Sequence, residues 1–381
     1  MKLVIHDLSA DKWHEIADRY PDCTVIYDNG TIRPCVGCFG CWNKKPGQCV
    51  VKDGYENMGS LIHHADEVIV ISRYTYGGFS GFVKNVFDRS LAYVLPHFEL
   101  VDGQSHHKKR YEEEKPYTYI FYGHDISDED KRSAIRYVNA VSTNMRTFVK
   151  DVQFIENQEE KTERKITSAD KSDKIILLNA SMRFKNGNSA KLALELQKLL
   201  KSENEIINLS QYLNNHEKLI GKLSDASKIV LCLPLYVDGL PSQMIRLMED
   251  MERNYKGSSK KIYVLSNMGL YESRQLINLL SAVKKWCEIM DFAYCGALGV
   301  AAGELVGGFL EFSSIDRWPL RQINKGLIRL ADAIDDSRSI EDTYTGTDTF
   351  PRWLYMAIAN SGWARMGKKN GIRKKDLFRQ L

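Results

Sequence analysis

The chain has 381 residues, beyond the length at which one hydrophobic core keeps growing, so two domains are expected. Apolar residues make up 43% and charged residues 27%, with a formal net charge of +4; this balance fits a soluble globular protein and excludes a general polyanion-binding role. The opening "MKLVIHDLSADKWHEI" breaks into charge early and no apolar run reaches membrane-spanning length, which predicts a cytoplasmic protein with no membrane and no nucleic-acid partner.

In chain order, the pattern predicts a strand over Lys2 to His6, a helix over Lys12 to Asp18 and a strand over Cys23 to Asp28. Next comes "RPCVGCFGCWNKKPGQCV", Arg33 to Val50, which holds Cys35, Cys38, Cys41 and Cys49, half of the eight cysteines. In a reducing compartment such a cluster points to metal or redox chemistry rather than disulfides, whereas Cys23, Cys232, Cys287 and Cys295 read as small buried residues. A helix near Tyr55 to His64 precedes "EVIVIS", Glu67 to Ser72, whose β-branched run suits a parallel strand buried on both faces. Helix Gly81 to Tyr93, strand Tyr117 to Gly123, helix Asp130 to Phe148 and strand Val152 to Ile155 complete a βα alternation, the mark of a doubly wound sheet.

The stretch "ENQEEKTERKITSADKSD", Glu156 to Asp173, has one large apolar residue and reads as a linker that cannot repay its ordering entropy. The alternation then restarts. Strands are expected over Lys174 to Ala180, Glu205 to Leu209, Lys228 to Pro234, Lys261 to Asn267 and Tyr294 to Val300, with helices over Ser189 to Lys201, His216 to Leu223, Pro241 to Arg253 and Glu272 to Met290. Two copies of one architecture follow from this pattern.

Ligands of doubly wound sheets bind beyond the carboxyl ends of the strands, where strand order reverses. After the first strand of the second copy stands "NASMRFKNGNSAKLA", Asn179 to Ala193. Glycine and asparagine permit a tight turn with inward N–H groups, Ser181 and Ser189 add hydroxyls, Arg183 adds charge, and the helix from Ser189 offers its positive end to an anion. Taken alone, the same loop reads equally well as a helix entry capped by Asn188 or Ser189. The third strand ends in "LPLYVDGLPSQM", Leu233 to Met244, where Tyr236 suits a flat heterocycle or serves as an ordinary rim tyrosine. The fourth ends in "SNMGLYES", Ser266 to Ser273, where Gly269 permits close approach.

Through "SMRFKNGNS" at Ser181 to Ser189 and "PLYVDGLP" at Pro234 to Pro241, the second half resembles the NADPH-dependent FMN reductase group of the flavodoxin-like superfamily; the similarity spans Lys174 to Gly308 and includes "GALGVAAGE", Gly296 to Glu304. The resemblance implies an α/β fold of two tandem flavodoxin-like domains, each a five-stranded parallel doubly wound sheet, plus a C-terminal helical extension. Residues 1–156 would form a degenerate flavodoxin-like domain with the cysteine loop, 157–173 a charged linker, 174–335 the FMN-binding domain, and 336–381 a helical basic tail. It further implies FMN as cofactor and NAD(P)H as co-substrate. Ser181, Arg183, Asn186, Gly187, Asn188 and Ser189 would form the phosphate loop. Pro234, Leu235, Tyr236, Val237, Asp238 and Gly239 would lie beside the isoalloxazine ring, with Asn267, Met268 and Gly269 on its far side.

The first half is similar only in part. "SRYTYGGFSGFVKNVFDR", Ser72 to Arg89, resembles the ring loop of the same group and makes Tyr74, Tyr76, Gly77, Gly78 and Ser80 second ring-loop candidates, with Lys84, Asp88 and Arg89 in register. Its first loop, "HDLSADKW", has no glycine or arginine and sets Asp7 and Asp11 where a phosphate needs donors. One full flavin site is therefore expected, in the second half. Such reductases commonly dimerise with flavin near the interface, so the resemblance implies a pseudo-dimer or homodimer in which Tyr74 to Ser80 caps the other half's flavin.

The cysteine spacing, Cys35-x2-Cys38-x2-Cys41-x7-Cys49, suits one face of a cubane cluster and resembles the compact motif of iron–sulfur flavoproteins. Three readings stay open: a [4Fe-4S] cluster, a packed or redox-active thiol loop, and zinc, which more often takes two separated cysteine pairs. His63 and His64 end a helix, and His106 and His107 fall in a charged loop, Gly103 to Lys115, without metal-ligand spacing. The apolar helix candidate Phe350 to Met366, with Trp353 and Trp363, is expected to pack on the second domain or at a dimer interface. The basic run Ala364 to Leu381 reads as a solvated helix end.

The resemblance implies an FMN-dependent NAD(P)H oxidoreductase passing electrons from reduced nicotinamide to a second acceptor: a quinone, a nitro compound or a redox protein. No catalytic acid or base is demanded, and Tyr236 and Tyr76 are ring-positioning candidates. The alternatives are a flavodoxin-like electron carrier or iron–sulfur flavoprotein serving a partner protein, and a sensor built on the cysteine loop.

Overall fold

The computed structural model describes residues 1–156, 173–346 and 350–381; the expected linker, 157–173, lies outside them apart from Asp173. The chain divides into two compact units, Met1–Lys161 with Met356–Leu381, and Thr162–Tyr355.

The first unit runs β1 (Lys2–His6), α1 (Ala10–Ile16), β2 (Cys23–Tyr27), α2 (Gly40–Asn43), α3 (Met58–His64), β3 (Glu67–Arg73), α4 (Gly81–Arg89), β4 (Val94–Val101), β5 (Gln104–Lys109), β6 (Pro116–Gly123), α5 (Asp128–Met145) and β7 (Phe148–Glu156). Its sheet has the order β2-β1-β3-β6-β7, with every pairing parallel. With the inserted hairpin β4–β5 set aside, this is the order 2-1-3-4-5 of flavodoxin-like folds. Leu3, Val4 and Ile5 of β1 and Val68 to Ile71 of β3 are buried, because helices cover both faces of a parallel sheet.

The second unit runs β8 (Ile175–Asn179), α6 (Asn188–Leu199), β9 (Asn204–Asn208), α7 (His216–Ser224), β10 (Lys228–Pro234), α8 (Ser242–Asn254), β11 (Lys261–Asn267), α9 (Ile277–Met290), β12 (Ala293–Val300), α10 (Gly303–Phe309), α11 (Arg321–Asp335) and β13 (Thr343–Thr345). Its sheet order is β9-β8-β10-β11-β12-β13, again the order 2-1-3-4-5 but with a sixth strand added in parallel beside β12. On one face of this sheet, Ile175, Leu177, Val230 and Tyr263 pack with Leu192 and Leu196 of α6 and with Ile323, Leu327 and Leu330 of α11. Both units are flavodoxin-like domains of mixed α/β architecture.

Three expectations are corrected. The second sheet has six strands rather than five, since β13 is too short to leave a periodic signal. The segment Gly103 to Lys115, expected as a charged loop, supplies the antiparallel strand β5 of a hairpin. A last helix, α12 (Arg352–Lys369), carries the chain from the second unit to the first at residues 355 and 356; beyond that point it packs on the first unit rather than the second. There Asn360 exchanges hydrogen bonds with the backbone of Phe98, at 2.7 and 3.1 Å, and Trp363 stands edge-on against Trp42 and Phe39. Among the described residues no helix is long and apolar enough to cross a membrane.

Candidate functional site

In the second unit the strand order reverses between β8 and β10, so the loops after these strands bound a crevice at their carboxyl ends. Asn179, the fully buried last residue of β8, shapes the first loop. Its Nδ2 donates to Asn208 Oδ1 at 2.8 Å and to Phe184 O at 3.4 Å, while its Oδ1 accepts from Ser181 N at 3.1 Å. Ser181 Oγ in turn accepts from Arg183 N at 3.3 Å. A Cβ on Gly187 would lie 2.2 Å from Ser181 Oγ, so only glycine lets the turn close at the entrance of α6. The loop thus brings Ser181, Arg183, Asn188 and Ser189 to the N-terminal end of a twelve-residue helix, whose free N–H groups and dipole favour an anion. Asn186 is exposed.

Two of these donors, Arg183 and Asn188, already hold an anion. Arg183 Nη1 donates to Glu304 Oε1 at 3.1 Å and Asn188 Nδ2 to the same oxygen at 2.9 Å. Glu304 sits in the first turn of α10, which is drawn onto α6 by Lys191 Nζ bonding Gly307 O and Glu311 Oε1, both at 2.8 Å. The approach is close: a Cβ on Gly307 would meet Asn188 Oδ1 at 1.9 Å. Neither Asn179 nor Glu304 was a sequence-level candidate.

The loop after β10 is a two-residue hairpin. Tyr236 and Gly239 exchange backbone hydrogen bonds at 3.1 and 3.0 Å, and the central residues Val237 and Asp238 have φ of 36° and 59°. Positive φ at both centres is the type I′ pattern, yet a β-branched residue there is strained. Pro234 and Asn267 lie opposite each other in neighbouring strands, and Leu235 N donates to Asn267 O at 2.8 Å. Asn267 Nδ2 donates to Ser189 Oγ at 2.6 Å, so the third candidate segment is tied to the phosphate-loop candidate. Met268 is buried and Gly269 exposed, with nothing within 4 Å of a Cβ built on Gly269. Leu235, Tyr236 and Val237 are half-buried, Asp238 and Gly239 buried.

The first unit repeats the hairpin with Thr75 and Gly78 exchanging bonds at 3.0 and 2.9 Å, and with Tyr76 and Gly77 at φ of 50° and 88°. Thr75 therefore occupies the place of Tyr236, and Tyr76 that of Val237. This loop is engaged within its own unit: Tyr74 OH donates to Asp130 Oδ1 at 2.8 Å, and the ring of Tyr137 lies 2.8 Å from where a Gly78 Cβ would stand. Ser80 caps α4. Beyond β1, Asp7 takes the anion position. Its carboxylate accepts from Arg73 N at 3.0 and 3.1 Å and from Tyr122 OH at 3.0 Å, and Ser80 adds a side-chain bond. Burial raises its pKa despite these bonds.

The cysteine loop is held from beneath by α4. Arg89 Nε donates to Cys49 Sγ at 3.2 Å, and its terminal nitrogens reach Asp53, Arg33 O and Val51 O. Burial pushes the Cys35 thiol up to about 12, with the Asp88 charge adding to it; burial also pushes Cys41 well above its ordinary value, with Cys35, Cys49 and Cys38 adding. These two thiols stay protonated at neutral pH and are poor nucleophiles. Cys38 is exposed. Among the described residues no three His, Cys, Asp or Glu side chains form a group that could hold a metal ion, so the metal readings of the cysteine loop gain nothing from this geometry. Trp42 Nε1 bonds Leu91 O at 3.2 Å and Val94 O at 3.0 Å, and its ring packs on His107 and Trp363; the loop braces the unit.

No protein-family model matches the chain, and no curated protein matches it in sequence. Solved structures similar to it include a flavone reductase (14% identity, 48% of this chain and 70% of that one, TM-score 0.32). Two others are an azoreductase from Bacillus anthracis str. Sterne (12%, 43% and 99%, TM-score 0.33) and the NAD(P)H:quinone oxidoreductase from Methanothermobacter marburgensis (13%, 51% and 94%, TM-score 0.25). Likeness at this level assigns no activity, and the fold rests on the two strand orders.

Proposed function

We propose that the chain is an FMN-dependent NAD(P)H oxidoreductase whose flavin site lies in the second unit and whose electrons pass to a small-molecule acceptor such as a quinone. The observation that carries this reading is the built anion site at the switch point, where Ser181, Arg183, Asn188 and Ser189 surround the start of α6 and two of them, Arg183 and Asn188, already hold a carboxylate. Hydroxyl, amide and guanidinium donors at a helix N-terminus are the chemistry that a phosphate monoester needs, so the donor set fits the phosphate of FMN.

A bound flavin would supply the hydride chemistry. The chain's own residues bind and orient. Ser181, Arg183, Asn188 and Ser189 would hold the phosphate, the strained turn Val237–Asp238 would present Tyr236 and backbone N–H groups to the ring edge, and the open space over Gly269 leaves room for a flat group. Strain of this kind persists where surroundings over-determine it, commonly at binding sites. No side chain is required to move a proton.

The test is reconstitution of the purified chain with FMN, followed by NAD(P)H consumption with a quinone. Stoichiometric FMN, steady turnover, and loss of FMN on replacing Arg183 and Asn188 with alanine are the expected results. A flavin-loaded chain that consumes no NAD(P)H would be a carrier instead, and FMN retained by the double variant would remove the site from the second unit.

A further inference from the structure

Both units place a carboxylate of their own at the switch point, in different ways. Asp7 of the first unit is tied to the ends of β3 and β6 and to the N-cap of α4, through Arg73 N, Tyr122 OH and Ser80. Glu304 of the second unit is held by two side chains, Arg183 and Asn188, and its own side chain is 47% exposed. The first is a fixed part of its domain. The second is exchangeable, because an exposed ion pair contributes little and is screened by salt.

We propose that Glu304 is an intramolecular latch on the flavin phosphate site: without ligand its carboxylate holds Arg183 and Asn188 together, and a phosphate binds only by displacing it. The proposal rests on the second unit binding FMN. Geometry makes the displacement physically reasonable, since the latch bonds both ligand-facing donors with one oxygen and swings from the first turn of a short helix whose residues Gly303 and Gly307 let it lie close to the loop. A phosphate dianion beside the carboxylate would be repelled, so Glu304 has to leave Arg183 when the ligand arrives. Two consequences follow from charge alone. The latch lowers affinity for every ligand in proportion to its competition for Arg183 and Asn188. It therefore narrows the preference for flavins with a phosphate over neutral flavins such as riboflavin, which do not compete with the carboxylate for Arg183 and Asn188. The loss of its charge should therefore act on FMN and leave riboflavin unmoved.

The experiment titrates FMN and riboflavin into the full chain and its Glu304→Gln variant, following quenching of flavin fluorescence at low and high salt; thermal unfolding checks that the variant folds. Glutamine keeps the size and removes the charge. The expected result is FMN binding roughly three- to tenfold tighter in the variant at low salt, a smaller difference at high salt, and equal riboflavin binding. Equal or weaker FMN binding in a folded variant overturns the latch while leaving the flavin reading intact. Absence of FMN binding by both proteins overturns the flavin reading and the latch with it.

Discussion

Arg89 grips Asp53 with both terminal nitrogens, at 2.6 and 2.9 Å, and neither side chain is more than 3% exposed. The remaining donors go to Cys49 Sγ, Arg33 O and Val51 O, so one guanidinium joins α4 to both ends of the cysteine loop. Although burial raises the Asp53 carboxyl, bonds from Arg89 and from the N–H groups of Arg33 and Tyr55 hold it below the usual carboxylate range. Replacing Arg89 with methionine should cost about 3–5 kcal/mol, because Asp53 is left charged without its partner. The double variant Arg89→Met, Asp53→Asn should be less damaged than the single one. Lysine at 89 cannot reproduce the fork. Chemical denaturation and the rate at which an aromatic disulfide labels Cys49 measure both effects; a single variant with unchanged labelling would show that the loop holds itself.

The tail predicts a second dependence. Trp363 is 6% exposed and stands edge-on to Trp42 at 5.2 Å and to Phe39 at 5.4 Å. Farther on, buried Arg110 donates to Leu377 O at 3.0 Å and Arg379 O at 2.7 Å, and Ser60 Oγ donates to Leu381 O at 3.0 Å. Trp363→Ala should cost the first unit about 3–5 kcal/mol and expose the tail to proteolysis. An equally resistant tail would mean that Arg110 and Ser60 suffice to hold it.

Much of this architecture is legible in the chain, for a physical reason. β10 and β11 carry continuous apolar runs, because a parallel strand is covered on both faces, and their bounds are readable to the residue. β5, "QSHHKK", is polar and reads as a loop, yet pairs with β4. The first loop of the candidate site is compact in sequence, its donors lying within nine residues, Ser181 to Ser189. Glu304 is 121 residues from Arg183 and leaves no local signal. The tail misleads for the same reason: tryptophans announce burial but not the partner that buries them.

Stability of the first unit should fall in mild acid. His6, stacked on Trp13 at 4.2 Å, and His97 and His107 are each pushed down to about 4, chiefly by burial. Between pH 6.5 and about 4 the unfolded chain binds protons that these folded histidines refuse, so their contribution is full above pH 6.5 and is lost as pH falls. Each accounts for about 2 kcal/mol of loss between pH 7 and pH 5. Asp7 works the other way: its raised pKa means the folded state takes a proton first, so stability is gained as pH falls through that value toward the ordinary one. His6→Phe, which keeps the stacked ring, should flatten the pH dependence of unfolding. A slope equal to wild type would show that His6 titrates normally. Asp7→Asn should raise stability at pH 7, where the buried charge is otherwise carried.

Two glycines separate the phosphate end of the proposed site from its ring end. Gly187 has an ordinary φ of −80°, so alanine is tolerated by the backbone, but its Cβ would press on Ser181 Oγ at 2.2 Å. The turn at the start of α6 must open, and FMN binding should weaken at least tenfold, about 1.4 kcal/mol. Gly269 meets nothing within 4 Å, so Gly269→Ala should leave folding unchanged and weaken FMN only where a ring lies against that backbone. Dissociation constants from fluorescence titration, with thermal unfolding alongside, distinguish the cases. If Gly187→Ala binds FMN like wild type, the phosphate is not held by this loop. If Gly269→Ala does so while Gly187→Ala fails, the phosphate is anchored as proposed and the ring leans toward Tyr236 instead of the loop after β11.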